Sequence, residues 1–220
     1  MKKRLIFAAL AVAALSLSGC AALLSSIATN PSFSVLGDGS SEGIYDGQTF
    51  RITKTGTCNY TWATSDPIQL ALKEDGSNAY VTGALKDPAK TYYGKITAYN
   101  KDDSTITPVE HDVPVYAWEL KLYDAAGNQV TNHTGLQRGN TYVIKMVRGS
   151  TPVNKLLKGM RISSTEETES LDFTNSNSAW KVVSQTGVTC TITVPSSLSS
   201  TVITAKLGNV KHSLSLKTTK

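Results

Sequence analysis

Three histidines and three cysteines are the side chains of this 220-residue chain best suited to metal binding or covalent chemistry. His111, His133 and His212 lie far apart in sequence, and no two of them have a metal-ligand spacing such as His-x3-His. We interpret them as surface or rim residues, and the sequence predicts no metal site and no cofactor. The acidic run Glu166-Glu167-Thr168-Glu169 lacks the alternating spacing of a calcium loop, so we interpret it as a solvated loop.

A serine and a lysine stand at the spacing Ser-x-x-Lys in Ser178-Ala179-Trp180-Lys181, and Lys54-Thr55-Gly56 matches a second element of the penicillin-binding and β-lactamase motif set. In this chain the two motifs occur in the opposite order to that of the motif set, and its third element, Ser-Asp-Asn, is missing. No helix is predicted to carry the serine. There is also no Gly-x-Ser-x-Gly elbow and no Gly-rich phosphate loop. The sequence therefore predicts a protein that is not an enzyme and has no catalytic residues.

Cys20 differs from the other cysteines in what precedes it. Residues 1–4 are basic, and Leu5 to Leu17 is apolar except for Ser16; small residues then lead into the cysteine, as in a secretory signal peptide. The quartet Leu17-Ser18-Gly19-Cys20 resembles the lipobox of bacterial lipoproteins. That resemblance implies that the Cys20 thiol receives a diacylglyceryl group, that cleavage occurs just before it, and that the new amino terminus is acylated.

An uncleaved membrane anchor and an ordinary cleaved signal peptide are the alternatives. Leu5 to Leu24 is about as long as the ~20 residues that span a bilayer, but small and polar residues interrupt its second half. The resemblance implies a protein held at the cell envelope through its N-terminal lipid. Lipoproteins kept at the inner membrane of many diderm bacteria have Asp where this chain has Ala21. The expected location is therefore extracytoplasmic, at the outer membrane if the organism has one.

The charge balance argues against a nucleic-acid partner. The chain carries 22 Lys and Arg and 17 Asp and Glu. Lys2, Lys3 and Arg4 leave with the signal peptide, so 19 basic and 17 acidic residues remain, a net charge of +2. Nucleic-acid binding depends on a clustered basic face, for which this balance gives no support.

The exported part alternates apolar and polar residues with period 2, and turn residues recur between these runs, which predicts an all-β fold. No stretch has an apolar face with a 3.6-residue period, so almost no helix is expected beyond the signal region. The residues predicted to face a core are Phe50, Ile52, Cys58, Tyr60, Trp62, Ile96, Ala98, Tyr142, Ile144, Met146, Val188, Cys190, Ile192, Val194, Leu214 and Leu216.

A faint internal repeat divides the exported part in two. Gly47-Gln48-Thr49-Phe50-Arg51-Ile52 matches Gly139-Asn140-Thr141-Tyr142-Val143-Ile144 at an offset of 92 residues. That offset is close to the ~100 residues of an immunoglobulin-like sandwich. We therefore predict a signal peptide (1–19), a lipidated tether (20–32) and two tandem immunoglobulin-like β-sandwich domains (33–115 and 116–220).

The first predicted domain resembles bacterial immunoglobulin-like group 2 domains over roughly residues 45–115. The segment 60–67, Tyr-Thr-Trp-Ala-Thr-Ser-Asp-Pro, is similar to that family's Trp-x-Ser/Thr-Ser-Asp-Pro element. Phe50-Arg51-Ile52 and Lys95-Ile96-Thr97-Ala98-Tyr99 resemble its early and late strands, and residues 80–84 partly match its Gly-x-Val-Thr-Gly element. The second domain lacks the Trp motif. The resemblance implies an extracytoplasmic module of adhesins and envelope proteins, without catalytic residues.

Cys58 and Cys190 are an even pair once Cys20 is lipidated, and the compartment is oxidising, so a disulfide is one interpretation. Alternation places each of them on the inward face of a different domain. Two separate cores cannot bring their Cα atoms within the ~7 Å that a disulfide needs. We favour two buried free thiols.

Exposed aromatic residues are the best indication of a binding surface. Tyr93, Lys95, Thr97 and Tyr99 share an outward strand face if Ile96 and Ala98 face the core. Such a strip suits a glycan or another envelope protein, whereas ordinary cross-strand tyrosine packing is the alternative. The sequence thus favours a lipid-anchored, non-catalytic envelope protein with binding or adhesion modules. The alternative function is a structural spacer or an accessory subunit of an envelope complex.

Overall fold

The computed structural model describes residues 33–53, 59–76, 78–159 and 166–219. Within these ranges every regular element is a β-strand and no helix occurs, in agreement with the all-β prediction. The described part of the chain accordingly contains no helix long and apolar enough to cross a membrane.

Seven strands lie between residues 44 and 116 in the described part of the chain. They are β1 (Ile44–Tyr45), β2 (Thr49–Thr53), β3 (Tyr60–Thr64), β4 (Leu70–Asp75), β5 (Asn78–Gly83), β6 (Tyr92–Asn100) and β7 (Val109–Tyr116).

Eleven strands follow in the second half. They are β8 (Glu119–Tyr123), β9 (Gln129–Val130), β10 (Thr141–Arg148), β11 (Thr151–Pro152), β12 (Leu156–Gly159), β13 (Glu167–Glu169), β14 (Asp172–Asn175), β15 (Lys181–Thr186), β16 (Thr189–Thr193), β17 (Ser200–Leu207) and β18 (Val210–Lys217).

The first sandwich packs a sheet containing β2-β5-β4 against a sheet of order β1-β7-β6-β3. Alternation along each strand sends one set of side chains between the sheets. Phe50, Ile52 and Ile96 are buried there as predicted. Trp62, 8% exposed, contacts the ring of Phe33 edge-on at a centroid distance of 5.1 Å.

The second sandwich repeats this arrangement. Its sheets have the orders β15-β16-β10-β8-β9, with β11 on β10, and β14-β17-β18. The strands β4, β5 and β2 therefore correspond to β15, β16 and β10, and β3-β6-β7 corresponds to β14-β17-β18. These are the B-E-D and C-F-G groupings of an immunoglobulin-like sandwich. The described part of the chain forms two immunoglobulin-like β-sandwiches in tandem.

The internal repeat marks the same point in both sandwiches. Gly47 (φ 84°) precedes β2, and Gly139 (φ 76°) precedes β10. The first residue of each of these strands, Thr49 or Thr141, contacts a threonine hydroxyl on the antiparallel neighbour, at 2.8 Å and 3.3 Å respectively. The repeat therefore reflects equivalent strand starts.

The structure differs from a simple tandem of sandwiches because the second half of the chain contributes two strands to the first sandwich. β12 pairs in parallel with β2 through Gly159 and Arg51, and β13 pairs antiparallel with β12. Leu156 points into the second core and its neighbour Leu157 into the first. The predicted domain limits 33–115 and 116–220 remain predictions. The strands β12 and β13 lie within the second range but extend a sheet of the first sandwich. We call this shared pair of strands the β12–β13 insertion.

A buried glutamine lies beside the insertion. The Gln48 side chain is fully buried, and its Nε2 donates to the carbonyl oxygens of Leu157 (2.8 Å) and Gly37 (3.2 Å). Its Oε1 accepts from the backbone N–H of Tyr45 at 3.0 Å. The amide thus ties the start of the first sandwich to the strand supplied by the second half of the chain.

Two glycines allow the sandwiches to touch through their backbones. A Cβ atom added to Gly47 would lie 2.1 Å from the carbonyl oxygen of Leu207, and one added to Gly208 would lie 2.2 Å from the carbonyl oxygen of Gly47. Neither backbone oxygen can move away as a flexible side chain would. The space around Gly139, in contrast, is open, with nothing within 4 Å of an added Cβ.

We expect Trp62→Ala to lower the free energy of unfolding by about 3–5 kcal/mol, as truncation of a large aromatic side chain in a core does. Urea denaturation followed by circular dichroism measures the effect. Tyr93→Ala, at a side chain 79% exposed, is the matched control and should change stability by no more than about 0.5 kcal/mol. Equal effects of the two substitutions would contradict the strand register.

The two repeat glycines provide a second test. Gly139→Ala should cost roughly 1–2 kcal/mol, because alanine is strained at positive φ. Gly47→Ala adds a collision with a backbone oxygen to the same strain, so we expect it to cost about 1–3 kcal/mol more. Thermal unfolding of both variants measures the difference. Equal losses would mean that the sandwiches are not in contact at Gly47.

Candidate functional site

The predicted binding strip lies on the outer face of β6, but its four side chains are not equally accessible. Tyr93 and Tyr99 are 79% and 42% exposed, whereas Thr97 is only 8% exposed between neighbouring strands. Lys95 Nζ lies 2.7 Å from Glu110 Oε2 on β7, and this hydrogen bond raises the pKa of Lys95.

The two exposed tyrosines are therefore separate contact points. Six residues along a strand correspond to about 20 Å, and the space between the rings is occupied by the paired Lys95 and the covered Thr97. A single sugar ring cannot contact both tyrosines. The predicted strip of Tyr93, Lys95, Thr97 and Tyr99 thus lies on one face of β6, but its exposed aromatic surface is interrupted at Lys95 and Thr97.

A cleft of about 480 Å³ opens between the two sandwiches, and we call it the Trp118–His212 cleft. The His212 ring lies 4.3 Å from the Trp118 ring, and Trp118 Nε1 donates to the carbonyl oxygen of Asp46 at 2.9 Å. Burial lowers the pKa of His212, opposed by the nearby carboxylates of Asp46 and Glu119. Burial also raises the pKa of Asp46, although the Leu85 N–H donates to its carboxylate at 2.8 Å. The Trp118 indole thus links the second sandwich to the backbone of the first at this cleft.

A second cleft, of about 220 Å³, lies on the outer face of the first sandwich, where the β12–β13 insertion meets β2 and β5. We call it the Arg51–Glu169 cleft. Its lining residues are Thr49, Arg51, Tyr80, Lys158, Glu167 and Glu169.

The interpretation of residues 166–169 as a solvated loop is wrong for most of the run. Glu167 to Glu169 form β13, which extends the first sandwich. Glu167 Oε2 lies 3.4 Å from Arg51 Nη2, and Glu166 pairs with Lys155. The spacing of the acidic run gives no sign of this pairing, because Arg51 is more than 100 residues away in sequence.

Two polar atoms in the Arg51–Glu169 cleft are buried without a hydrogen bond. They are Arg51 Nε and Glu169 Oε2, which have no hydrogen-bond partner among the described residues. A buried polar atom left unpaired costs about 1–3 kcal/mol. Burial raises the pKa of Glu169, and the positive charge of Lys158 partly opposes that rise. Both atoms are closed off from solvent, so they lie beneath the wall of the cleft and are not presented to a ligand.

The histidines do not form a site together. His111 contacts Phe33 at a ring-centroid distance of 4.5 Å, and His133 Nε2 lies 3.0 Å from the carbonyl oxygen of Val130. In the described part of the chain, no group of three or more His, Cys, Asp or Glu side chains is arranged to hold a metal ion.

The other sequence-identified residues fall on separate parts of the molecule. Ser178 is exposed in the turn before β15, and Lys181 begins that strand with an exposed side chain. Cys190 is a buried free thiol in the second core, and burial raises its pKa to about 11. Lys54-Thr55-Gly56, Cys58 and the lipobox with Cys20 lie outside the described residues.

No protein-family model and no curated protein sequence matches the chain. Among solved structures, domains 4–9 of the surface layer protein SbsC cover 86% of this chain with 14% identity and a TM-score of 0.28. The Escherichia coli adhesin FdeC covers 87% with 12% identity and a TM-score of 0.30, and the D00–D0 domain of intimin covers 86% with 9% identity and a TM-score of 0.28.

This chain spans 31% of the SbsC structure, 65% of the FdeC structure and 100% of the intimin structure. The TM-scores are too low for these proteins to define a function or a detailed common topology. The class of protein, two immunoglobulin-like β-sandwiches in tandem, is defined by the sheets described above.

Proposed function

We propose that this chain is a lipid-anchored, non-catalytic protein of the cell envelope whose immunoglobulin-like sandwiches act as a binding or adhesion module. The anchor is proposed from the lipobox resemblance at Leu17 to Cys20. Two or three acyl chains would hold the protein stably, since each buried methylene contributes about 0.8 kcal/mol.

The observation that carries the binding role is the joint built by the β12–β13 insertion. Inter-domain contacts within a chain are commonly small and permit relative motion. Here a shared strand, a buried glutamine amide and direct backbone contact at Gly47 oppose such motion. Residues 20–32 would connect the lipid to this two-sandwich arm, which would present its surfaces at a fixed geometry.

A structural spacer or an accessory subunit of an envelope complex is the second candidate function. The same joint favours it, because a spacer must hold a constant length. Ala21 and the uncharged residues after it also lack the acidic residues associated with surface export in some gut bacteria, which favours a periplasmic orientation. The two functions differ in where the sandwiches lie relative to the outer surface.

We also propose that residues 45–115 are a group 2 bacterial immunoglobulin-like domain, on the basis of the sequence resemblance. The buried position of Trp62, the residue at the centre of the resembling motif, supports it. In that family the module serves adhesins and envelope proteins, and the role proposed here is of the same kind.

The anchoring half of the proposal predicts that Cys20→Ser abolishes incorporation of a fatty-acid probe and leaves an unprocessed precursor. The physical reason is that only a thiol forms the thioether that precedes cleavage. Metabolic labelling followed by gel mobility measures both effects. Cys190→Ser is the matched control and should keep full labelling; label retained in Cys20→Ser would refute lipidation at that residue.

Orientation decides between the two candidate functions. Protease added to intact cells should digest the sandwiches if they form a surface adhesin and should leave them intact if they form a periplasmic spacer. Permeabilised cells provide the control for intrinsic cleavability. Digestion without permeabilisation would exclude the periplasmic spacer.

A further inference from the structure

We propose that the Glu74 carboxylate closes the free edge of β3 against strand addition by a second copy of this chain. Such a block keeps two copies from pairing edge to edge, and it depends neither on the proposed binding role nor on lipid anchoring. Neither a sequence motif nor a cleft singles out this side chain.

Strand β3 lies at the edge of its sheet in the described structure. It pairs with β6 on one side, and the sheet order β1-β7-β6-β3 ends with it. An edge strand presents backbone N–H and C=O groups that can pair with a strand of another chain. The Trp62 N–H faces away from β6 and donates to Glu74 Oε1 at 2.9 Å. A side-chain oxygen therefore occupies the place where a neighbouring strand would put a carbonyl oxygen.

Glu74 reaches β3 from the other sheet of the sandwich. It lies on β4 two residues after Leu72 and four after Leu70, so all three side chains share the inward face. The two leucines pack in or against the first core, whereas Glu74 is exposed at the end of the strand. The same Glu74 oxygen accepts from Thr61 Oγ1 at 3.1 Å. An inward-pointing charge on an edge strand is one of the ways in which proteins prevent edge pairing.

The second sandwich has an equivalent contact. Its strands β14 and β15 correspond to β3 and β4 in the sheet orders. Gln185 lies on β15, and its Nε2 donates to the carbonyl oxygen of Phe173 on β14 at 3.4 Å. In one sandwich the side chain supplies an acceptor to a backbone N–H, and in the other it supplies a donor to a backbone carbonyl. The recurrence at corresponding strands favours a role in closing the edge over a chance contact.

Two copies meeting at β3 would have to displace both carboxylates. In an antiparallel pair centred on Trp62, each Trp62 N–H would have to leave its Glu74 oxygen, and the two Glu74 side chains would lie close together. A hydrogen bond to a charged group is worth more than one between neutral groups. Like charges opposite each other on paired strands are also destabilising. Removing the carboxylate removes both obstacles.

Sedimentation velocity on the full-length protein in detergent tests the proposal. We expect the unmodified protein to stay monomeric and Glu74→Ala to form dimers as its concentration rises. The dissociation constant of the dimer should fall at least about tenfold, the factor that corresponds to one hydrogen bond to a charged group. Asp75→Ala is the matched control, because it removes the same charge from the next residue of β4, whose side chain points to the opposite face. That variant should stay monomeric.

Hydrogen exchange locates the contact. The amides of residues 60–64 should exchange more slowly in the Glu74→Ala dimer than in the same variant when it is dilute. Glu74→Thr, a good strand former too short to reach the Trp62 N–H, should dimerise in the same way. Thermal unfolding of each variant shows that the fold is kept. Monomeric behaviour of both Glu74 variants, equal dimerisation by Asp75→Ala, or a dimer without added protection of residues 60–64 would overturn the proposal.

Discussion

The buried amide of Gln48 is the contact on which the arrangement of the two sandwiches depends. It binds the carbonyl oxygens of Leu157 and Gly37 through one nitrogen and the N–H of Tyr45 through its oxygen. All three partners are backbone groups, and the amide is closed off from water. A shorter or apolar side chain would remove these hydrogen bonds from the interior, where lost hydrogen bonds are most costly. The Gly37 carbonyl oxygen would keep only the bond that the Leu157 N–H donates to it at 2.7 Å. The amide thus positions β12 beside β2.

A strand that serves two cores couples their stability. Successive residues of a strand point to opposite faces, so Leu156 and Leu157 enter different cores when β12 lies between the sandwiches. Tyr45 behaves in the same way from the first sandwich, since it packs in the second core while Ile44 packs in the first. Opening either sandwich therefore removes apolar contacts from the other. Independent unfolding of the two halves would be costly for this reason.

The sequence was sufficient to predict the sandwiches but not their joint. Long alternating runs such as 188–194 predict strands and inward faces, because the period-2 signal is repeated several times. β12 has only four residues, and its two leucines are adjacent, which contradicts the alternation expected of a strand with one buried face. The hydrogen bond from Gln48 to Leu157 beside it also bridges 109 residues, and no local pattern encodes such a contact. Thr97 is only 8% exposed although Ile96 and Ala98 face the core, because the outward face of a central strand is not necessarily exposed.

The Arg51–Glu169 cleft could not be predicted, for the same physical reason as the joint. Arg51 and Tyr80 come from one side of the joint and Lys158 and Glu169 from the other, so their proximity is a product of assembly. A ligand that contacts both sides binds the assembled arm and not its separated halves. It must then stabilise the joint in proportion to its occupancy, and a weaker joint must in turn lower its affinity. The constraint that holds the arm in one geometry is thereby also the constraint that creates this cleft.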